Sequence, residues 1–479
     1  MDRSPLPRDA FVDPSGANSE AIRELTEEVF DRLLTQLSTA AHRSPLPDDQ
    51  ETPSAQIPET PQPLDVLLEK LEDIVDGSMN PAHPGYVGHM DTTPTTVSVL
   101  GDLVTSAVNN NMLSVEMSPV FSELEAQVTR TIATEFGLGA DAGGVLTSGG
   151  SLANIHALAV ARNKAFDVQQ EGLTGFDREP VIFASEVSHT SLQKAAMLLG
   201  LGTDAIVAVE TDENSRLDPV ALERAITRAE GEGRAPFCVV ATAGTTTTGN
   251  IDPLPEIRDV AREHGLWFHV DAAYGGALVF SENERGRLRG IEAADSITFN
   301  PQKWCYVAKT CAMSLFADRA DLQQHFRIGA PYMRGDDVLP NLGEVSVQGT
   351  RRADVLKLWL TFQHLGRTGL EQLIDESYRL GNRLRDRVAD NDALELATEP
   401  ETNIVCFRVV PEWCPQGERD ELNSRVQQQL HREYDVFVSL PTYRDSRWLR
   451  VVPLNPFTNE ATIDRLLDSV EDVLEAERP

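Results

Sequence analysis

An acid and an amine follow two buried strands near the middle of the chain. Asp271 comes directly after the apolar run 266–270, and Lys303 follows the run 296–299, 32 residues further on. A carboxylate can keep a pyridine nitrogen protonated so that the ring takes up electrons, and a partly desolvated amine has a lowered pKa and becomes nucleophilic. The pair therefore predicts a site for pyridoxal 5′-phosphate, with Lys303 as the Schiff-base lysine. The alternative for Asp271 alone is a salt bridge to an arginine.

Other motifs stand at strand ends on the N-terminal side of this pair. The glycine-rich turn Gly143–Ser151 precedes a helical stretch, and the free amides of a helix N-terminus bind phosphate. His189 follows the strand 181–185 and could stack on a flat ring, and the segment Thr242–Gly249 offers hydroxyl groups. Each motif alone is equally typical of a turn, a structural histidine or a loop. Their order before Asp271 and Lys303 strengthens the cofactor prediction.

Short apolar runs alternate with helical stretches between about residues 140 and 316. We expect strands at 181–185, 205–210, 237–244, 266–273, 296–300 and 312–317, with helices between them. This alternation predicts an α/β fold with a mostly parallel sheet, which binds its ligands at the carboxyl ends of the strands.

The rest of the chain predicts two further regions. Residues 1–84 form an N-terminal helical arm with a proline-rich segment, residues 85–350 the large domain, and residues 351–479 a connecting helix and a small α+β domain. In the small domain we expect strands at 403–410, 436–440 and 447–452, and helices at 419–434 and 459–476.

The charge balance is strongly acidic. There are 75 Asp and Glu residues against 42 Lys and Arg, a net charge of −33, and only six of the 42 are lysine. Such a surface repels nucleic acid and anionic membranes. It indicates adaptation to a salt-rich cytoplasm, the alternative being an acidic mesophilic protein. A lysine kept where lysine is scarce, as at Lys303, is more readily explained by function.

The cysteines and the N-terminus indicate a cytoplasmic protein. The five cysteines are scattered without zinc-binding spacing, which predicts reduced thiols and no metal site. The N-terminus lacks the apolar core of a signal peptide, and no apolar run approaches the roughly 20 residues that cross a bilayer.

The motifs 269–276 (HVDAAYGG) and 300–304 (NPQKW) resemble those of the group II pyridoxal-phosphate-dependent amino-acid decarboxylases. The similarity runs from about His83 to the C-terminus. It implies the fold-type I (aspartate aminotransferase-like) architecture and decarboxylation of an L-amino acid to an amine and carbon dioxide. It also implies a homodimer with interfacial sites, since the segment Asn111–Phe121 is similar to one that reaches the neighbouring subunit's site.

The resemblance also implies roles for matched positions. Lys303 matches the Schiff-base lysine, Asp271 the partner of the pyridine nitrogen and His189 the stacking histidine. The phosphate positions are Gly149, Gly150, Ser151 and Asn300, with Gln302 beside them; Thr245 and Ala273 surround the ring; His83 and Thr92 lie near the substrate carboxylate. An acidic substrate predicts a cationic partner, Arg450 or Arg351, whereas diaminobutyrate predicts an acid.

Two departures from the family pattern affect the chemistry. Gln302 stands where the family usually has histidine, and the segment 332–352 has no tyrosine after Tyr332, although many members carry one on a mobile loop as proton donor. The end of that segment is similar to diaminobutyrate decarboxylases. Aminotransfer, carbon–carbon bond cleavage, decarboxylation with oxidative deamination, and an inactive cofactor-binding scaffold therefore stay open as alternatives.

Overall fold

The computed structural model describes residues 7, 9–47, 52–174, 176–330 and 341–479. Its helices are α1 Ser19–Ser38, α2 Leu64–Asp76, α3 Thr96–Val108, α4 Pro119–Glu135, α5 Gly150–Phe166, α6 Ser191–Leu198, α7 Pro219–Gly231, α8 Leu254–Glu263, α9 Ala320–His325, α10 Val355–Ala389, α11 Arg419–Tyr434 and α12 Glu460–Glu477. Its strands are β1 Gly143–Thr147, β2 Pro180–Ser185, β3 Ile206–Val209, β4 Ala235–Thr242, β5 Trp267–Ala272, β6 Ser296–Phe299, β7 Ala312–Phe316, β8 Leu394–Leu396, β9 Val405–Val409, β10 Thr442–Tyr443, β11 Ser446–Arg447 and β12 Leu449–Val451.

A seven-stranded sheet forms the centre of the large domain, in the order β1-β7-β6-β5-β4-β2-β3. The strand β7 is antiparallel to both of its neighbours, and the other strands run in one direction. Every residue of β2, β5, β6 and β7 is buried, because helices connect the parallel strands and cover the sheet. The predicted mostly parallel α/β sheet and the fold-type I architecture are confirmed.

The strand β1 was not predicted, although it carries the glycine-rich turn at its end. Its residues Gly143 and Gly144 have low strand propensity, and they read as part of a loop. A Cβ atom on Gly144 would lie 2.0 Å from the Ser314 carbonyl oxygen of β7. The glycine is therefore explained by the close approach of the neighbouring strand.

A three-stranded antiparallel sheet in the order β12-β9-β8 forms the small C-terminal unit; α11 packs against β9, and α12 packs against α10 and α11. The predicted strand at 436–440 is wrong, since Phe437 and Ser439 form only isolated bridges to Tyr86 and Arg450. The helix α10 joins the large and small cores. It is interrupted at Gly366 (φ 62°, ψ −178°), a conformation open essentially to glycine alone. The predicted boundaries at 84 and 350 stay predictions.

Three of the six lysines form ion pairs in the described part of the chain. Lys357 is fully buried, with its Nζ 3.2 Å from carboxylate oxygens of both Asp102 and Asp354. Further ion pairs join Lys164 to Asp321 and Lys309 to Asp91. Among the described helices, none is long and apolar enough to span a membrane.

Candidate active site

The carboxyl ends of β1, β2, β4, β5 and β6 open into one cavity of about 520 Å³. Nine of the residues predicted from the sequence line it: Gly149, Gly150, Ser151, His189, Asp271, Ala273, Asn300, Gln302 and Lys303. The sequence places these residues in four separate segments, and the parallel sheet brings them together because such strands end at a common edge.

Asp271 and Lys303 lie in the wall of this cavity. Asp271 is 6% exposed and pairs across the sheet with Thr242 on β4 and Thr298 on β6. Its Oδ1 accepts the Ala273 N–H at 3.1 Å, so the carboxylate has a defined orientation. Burial lowers the pKa of Lys303, and the nearby negative charge of Asp271 opposes this effect. A larger neutral fraction of the amine makes Lys303 a better nucleophile.

His189 presents its ring at the cavity wall. Its Nδ1 accepts the backbone N–H of Ser191 at 3.1 Å, so the neutral ring carries its proton on Nε2. The residue is exposed, yet the surrounding protein desolvates the imidazole enough to lower its pKa, against the opposing effect of Asp271. A neutral, oriented imidazole is suited to stacking on an aromatic ring.

The N-terminus of α5 forms the opposite end of the cavity. The first N–H groups of a helix have no acceptor within the helix, and no side chain of the described residues caps α5, whose N-cap residue is Gly149. A Cβ atom on Gly150 would lie 2.7 Å from Asn300 Nδ2, so only glycine lets the helix approach this amide so closely. Asn300 is 4% exposed, and its Oδ1 has no hydrogen-bond partner in the described part of the chain. The free α5 amides and the Nδ2 donor of Asn300, rather than its Oδ1 acceptor, fit a bound phosphate group.

The Gln302 side chain is fixed by a hydrogen bond to the backbone. Its Oε1 accepts the backbone N–H of Cys311 at 2.6 Å, which leaves the Nε2 end of the amide for a ligand. Glutamine can therefore donate a hydrogen bond here, but unlike the usual histidine it cannot titrate.

Several predicted residues do not line the cavity. The Thr245 hydroxyl is buried in its own loop, bonded to Thr248 Oγ1 at 2.9 Å, and the adjacent Thr246 lines the cavity instead. The Thr92 hydroxyl donates to the Leu454 carbonyl oxygen at 3.2 Å. His83 lies in a different cavity, of about 270 Å³, beside the C-terminal unit. The substrate contacts of Thr92 and His83 stay predictions.

The two candidate cations for an acidic substrate differ sharply. Arg351 forms a buried bidentate ion pair with Glu125 at 2.6 and 2.8 Å, so its charge is already balanced. Arg450 is 8% exposed and bonds to no carboxylate in the described part of the chain. Its Nη1 donates at 2.6 Å to the carbonyl oxygen of Thr246, which lines the cavity, and its charge helps to lower the Lys303 pKa.

Sequence reasoning missed Asn154, Tyr274 and Thr246, which also line the cavity. Asn154 lies one helical turn after Gly150, on the same face of α5. The predicted helix start at the glycine-rich turn was therefore a signal that Asn154 also faces the ligand. Tyr274 stacks on Trp304, with ring centroids 5.1 Å apart, and its hydroxyl donates to Asn403 Oδ1 at 2.6 Å. Tyr332, which precedes the segment that lacks the loop tyrosine, lies outside the described residues.

Comparison with known proteins identifies the class. Residues 47–410 match the family model "Pyridoxal-dependent decarboxylase conserved domain". L-2,4-diaminobutyrate decarboxylase from Acinetobacter baumannii is 33% identical, with 86% of this chain and 84% of that protein covered. Cysteine sulfinic acid decarboxylase from Mus musculus is 34% identical, with 85% of each covered. The crystal structure of mouse CSAD in apo form superimposes with a TM-score of 0.88 at 31% identity, covering 95% of this chain and 99% of that one.

The chain belongs to the pyridoxal-dependent decarboxylase family. It is accordingly a carboxy-lyase that uses pyridoxal 5′-phosphate to decarboxylate an L-amino acid, as the sequence predicted.

Proposed function

We propose that this enzyme decarboxylates an amino acid with a second acidic group, and that Arg450 binds that group. The supporting observation is the buried Arg450 guanidinium, which has no carboxylate partner among the described residues. Burying a cation without a counter-ion is costly, so an anionic substrate would complete its environment.

The hydrogen bonds of Arg450 leave one donor available. Nε donates to Ser439 Oγ, Nη1 to the Thr246 carbonyl oxygen, and Nη2 to the Gly88 carbonyl oxygen and His89 Nδ1. A guanidinium has five N–H donors, so one N–H on Nη1 has no acceptor in this arrangement. That N–H is on the same nitrogen that bonds the Thr246 carbonyl oxygen, and Arg450 reaches the cavity through Thr246, which lines it, rather than lining it itself.

A diaminobutyrate-type substrate would need a free carboxylate near the cavity for its second amine. The carboxylates whose charges act on Lys303 are Asp271 and Asp91. Asp271 is assigned to the cofactor, and Asp91 is paired with Lys309. Of the cations whose charges act on Lys303, Lys309 is paired with Asp91 and Arg450 has no carboxylate partner among the described residues, which favours an acidic substrate.

Roles for the cavity residues follow from their positions. Bound pyridoxal phosphate supplies the ring that accepts the electrons of the breaking Cα–carboxylate bond. Lys303 would hold the cofactor covalently, Asp271 would keep the ring nitrogen protonated, and His189 would stack on the ring. The α5 N-terminus and Asn300 would hold its phosphate. Because the Lys303 pKa is lowered, its amine is also suited to return a proton to the substrate carbon.

We also propose that two copies form a dimer through α3. This helix exposes Leu100, Leu103, Val104 and Val108, each 40–55% accessible, and the segment 111–121 follows it. An apolar patch on so acidic a chain would be covered by a second copy more readily than by water.

Light scattering tests the dimer proposal. The wild-type protein should have twice the mass of one chain, and Leu103→Asp should have the mass of a single chain. Val220→Asp, at an exposed position on α7, should leave the dimer intact, and a monomeric parent protein would reject the proposal.

The substrate proposal is tested by carbon dioxide release from glutamate, aspartate, cysteine sulfinate, 2,4-diaminobutyrate, tyrosine and tryptophan in molar salt. We expect an acidic amino acid to be the best substrate, and Arg450→Met to raise its KM about 10- to 100-fold, as for a lost charge-assisted hydrogen bond. Arg408→Met is the control, because Arg408 pairs with Glu395 on the surface of the same unit. Faster turnover of diaminobutyrate, or an unchanged KM in Arg450→Met, would refute the proposal.

A further inference from the structure

A chain of hydrogen bonds leads from buried residues of β5 and β6 to the Asp271 carboxylate through Asn154, which itself lines the cavity. Asn154 Nδ2 donates to Asp271 Oδ2 at 2.8 Å. Asn154 Oδ1 lies 3.0 Å from His269 Nε2, and His269 Nδ1 lies 2.8 Å from Ser296 Oγ. The Trp267 indole N–H donates to the same Ser296 hydroxyl at 2.8 Å. Asn154 is 1% exposed, and His269 and Ser296 are fully buried.

The direction of the bonds follows from the Asp271 end. An ionised carboxylate can only accept, so Asn154 Nδ2 faces Asp271 and Asn154 Oδ1 accepts the Nε2 proton of His269. A neutral His269 then has an unprotonated Nδ1, which accepts from the Ser296 hydroxyl at 2.8 Å and faces the Ser296 carbonyl oxygen at 3.1 Å without a proton between them. The Ser296 hydroxyl accepts from the Trp267 indole. A reversed Asn154 amide would place two acceptors 2.8 Å apart, so its Nδ2 faces Asp271. The second N–H of the same amide donates to Ser191 Oγ at 2.9 Å.

The donors that reach the carboxylate are uncharged. Burial lowers the His269 pKa to about 4, although Asp271 opposes this effect, so His269 is neutral at pH 7. The Asp271 carboxylate is thus held on Oδ2 by Asn154 and on Oδ1 by the Ala273 N–H, with no cation in either bond. Its negative charge stays available to a protonated pyridine nitrogen.

We propose that Asn154 is a positioning residue for the reaction, which holds the Asp271 carboxylate in the orientation that meets the cofactor's ring nitrogen and is itself held by His269. This inference rests on the proposed role of Asp271. Asn154 acts through the carboxylate, so its removal should weaken cofactor binding only while Asp271 is present.

The test is a titration of the apoprotein with pyridoxal phosphate, followed by absorbance and by the rise in Tm. Asn154→Leu should raise the Kd about 10- to 100-fold, the effect of losing one hydrogen bond to a charged group. Asn163→Ala is the control, since Asn163 is buried on the same helix and donates to the His325 carbonyl oxygen at 2.7 Å, away from the cavity. It should lower the Tm and leave the Kd unchanged.

Asn154→Asp gives a second, isosteric test that does not depend on lost packing. Two carboxyl groups at this distance share a proton at low pH, and the protonated one can donate as the amide does. The Kd of this variant relative to wild type should therefore increase at least about tenfold between pH 6 and pH 9, as the shared proton is lost. A ratio that stays constant, or an unchanged Kd in folded Asn154→Leu, would overturn the inference.

Asp271→Ala separates this inference from the proposed role of Asp271. If Asp271→Ala binds the cofactor as well as wild type does, the role of Asp271 itself fails. If it binds weakly, adding Asn154→Leu should cause no further loss, because the two effects share one carboxylate. Full additivity would leave Asp271 in its role and refute the positioning role of Asn154.

Discussion

Substitution of Gly150 by alanine tests the phosphate end of the cavity. The added Cβ atom would lie 2.7 Å from Asn300 Nδ2 and 3.0 Å from Asn300 Oδ1, so the amide must move about 0.7 Å to reach an ordinary 3.4 Å contact. Asn300 is 4% exposed, which leaves the cavity as the space into which it can move. In the apoprotein of this variant the displaced Asn300 amide fills part of the phosphate site. Phosphate can bind only if the amide returns to its strained position, which weakens binding.

Overpacking of this kind costs about 1–3 kcal/mol, which corresponds to about a 5- to 150-fold increase in Kd. We therefore expect Gly150→Ala to weaken pyridoxal phosphate binding by that factor, while the Tm of the apoprotein changes little. Isothermal titration of the apoprotein measures the Kd directly.

The double variant with Asn300→Ala identifies the cause. Without the Asn300 side chain there is nothing for the new methyl group to displace, so Gly150→Ala should have no further effect in that background. A wild-type Kd for Gly150→Ala, or the full loss in the Asn300→Ala background, would refute this explanation.

Further predictions concern stability. Arg351→Met should destabilise the fold by about 3–5 kcal/mol in urea unfolding, since it leaves Glu125 charged and buried, and Glu125→Gln should recover part of that loss; a cost below about 1 kcal/mol would contradict this. For His264, desolvation lowers the pKa, but hydrogen bonds to Glu223 and Glu230 outweigh it and raise the pKa above 6.5. The stabilisation that protonated His264 contributes is therefore present below pH 6.5 and lost as the pH rises through the raised pKa. The Tm difference between wild type and His264→Gln should accordingly vanish by about pH 9. A Tm difference that grows with pH would contradict this prediction. Molar KCl should raise the Tm and the activity, because the Debye length falls from about 10 Å at 0.1 M to about 3 Å at 1 M and screens the surplus negative charge; a maximum at low salt would refute the salt adaptation.

The alternation of apolar runs and helical stretches was sufficient to predict most of the large domain. The strands that follow this pattern are buried on both faces, and their runs of Val, Ile, Phe and Ala show it directly. The glycine-rich β1 could not be predicted because its identity as a strand depends on the partner β7, more than 160 residues away. The predicted strand at 436–440 failed for the same reason, since its neighbours allow only single bridges.

Within the site, residues at or just after strand ends were predictable, and the helix residue that bonds to Asp271 was not. Lys303, Asp271 and His189 stand next to apolar runs that end at a common sheet edge. Asn154 lies within a helix, and its bond to Asp271 joins positions 117 residues apart. Arg450 and Arg351 were both candidates from the sequence. Only the structure shows that Arg351 is paired with the Glu125 carboxylate, whereas Arg450 has no carboxylate partner among the described residues.

The scarcity of lysine has a consequence for the handling of the cofactor. Pyridoxal phosphate is an aldehyde, and it condenses with any accessible primary amine. Of the six lysines, Lys357 is enclosed between two carboxylates, Lys164 and Lys309 are ion-paired, and Lys70 and Lys194 are exposed. A surface whose positive charges are mostly guanidinium groups therefore offers the aldehyde few amines that compete with Lys303.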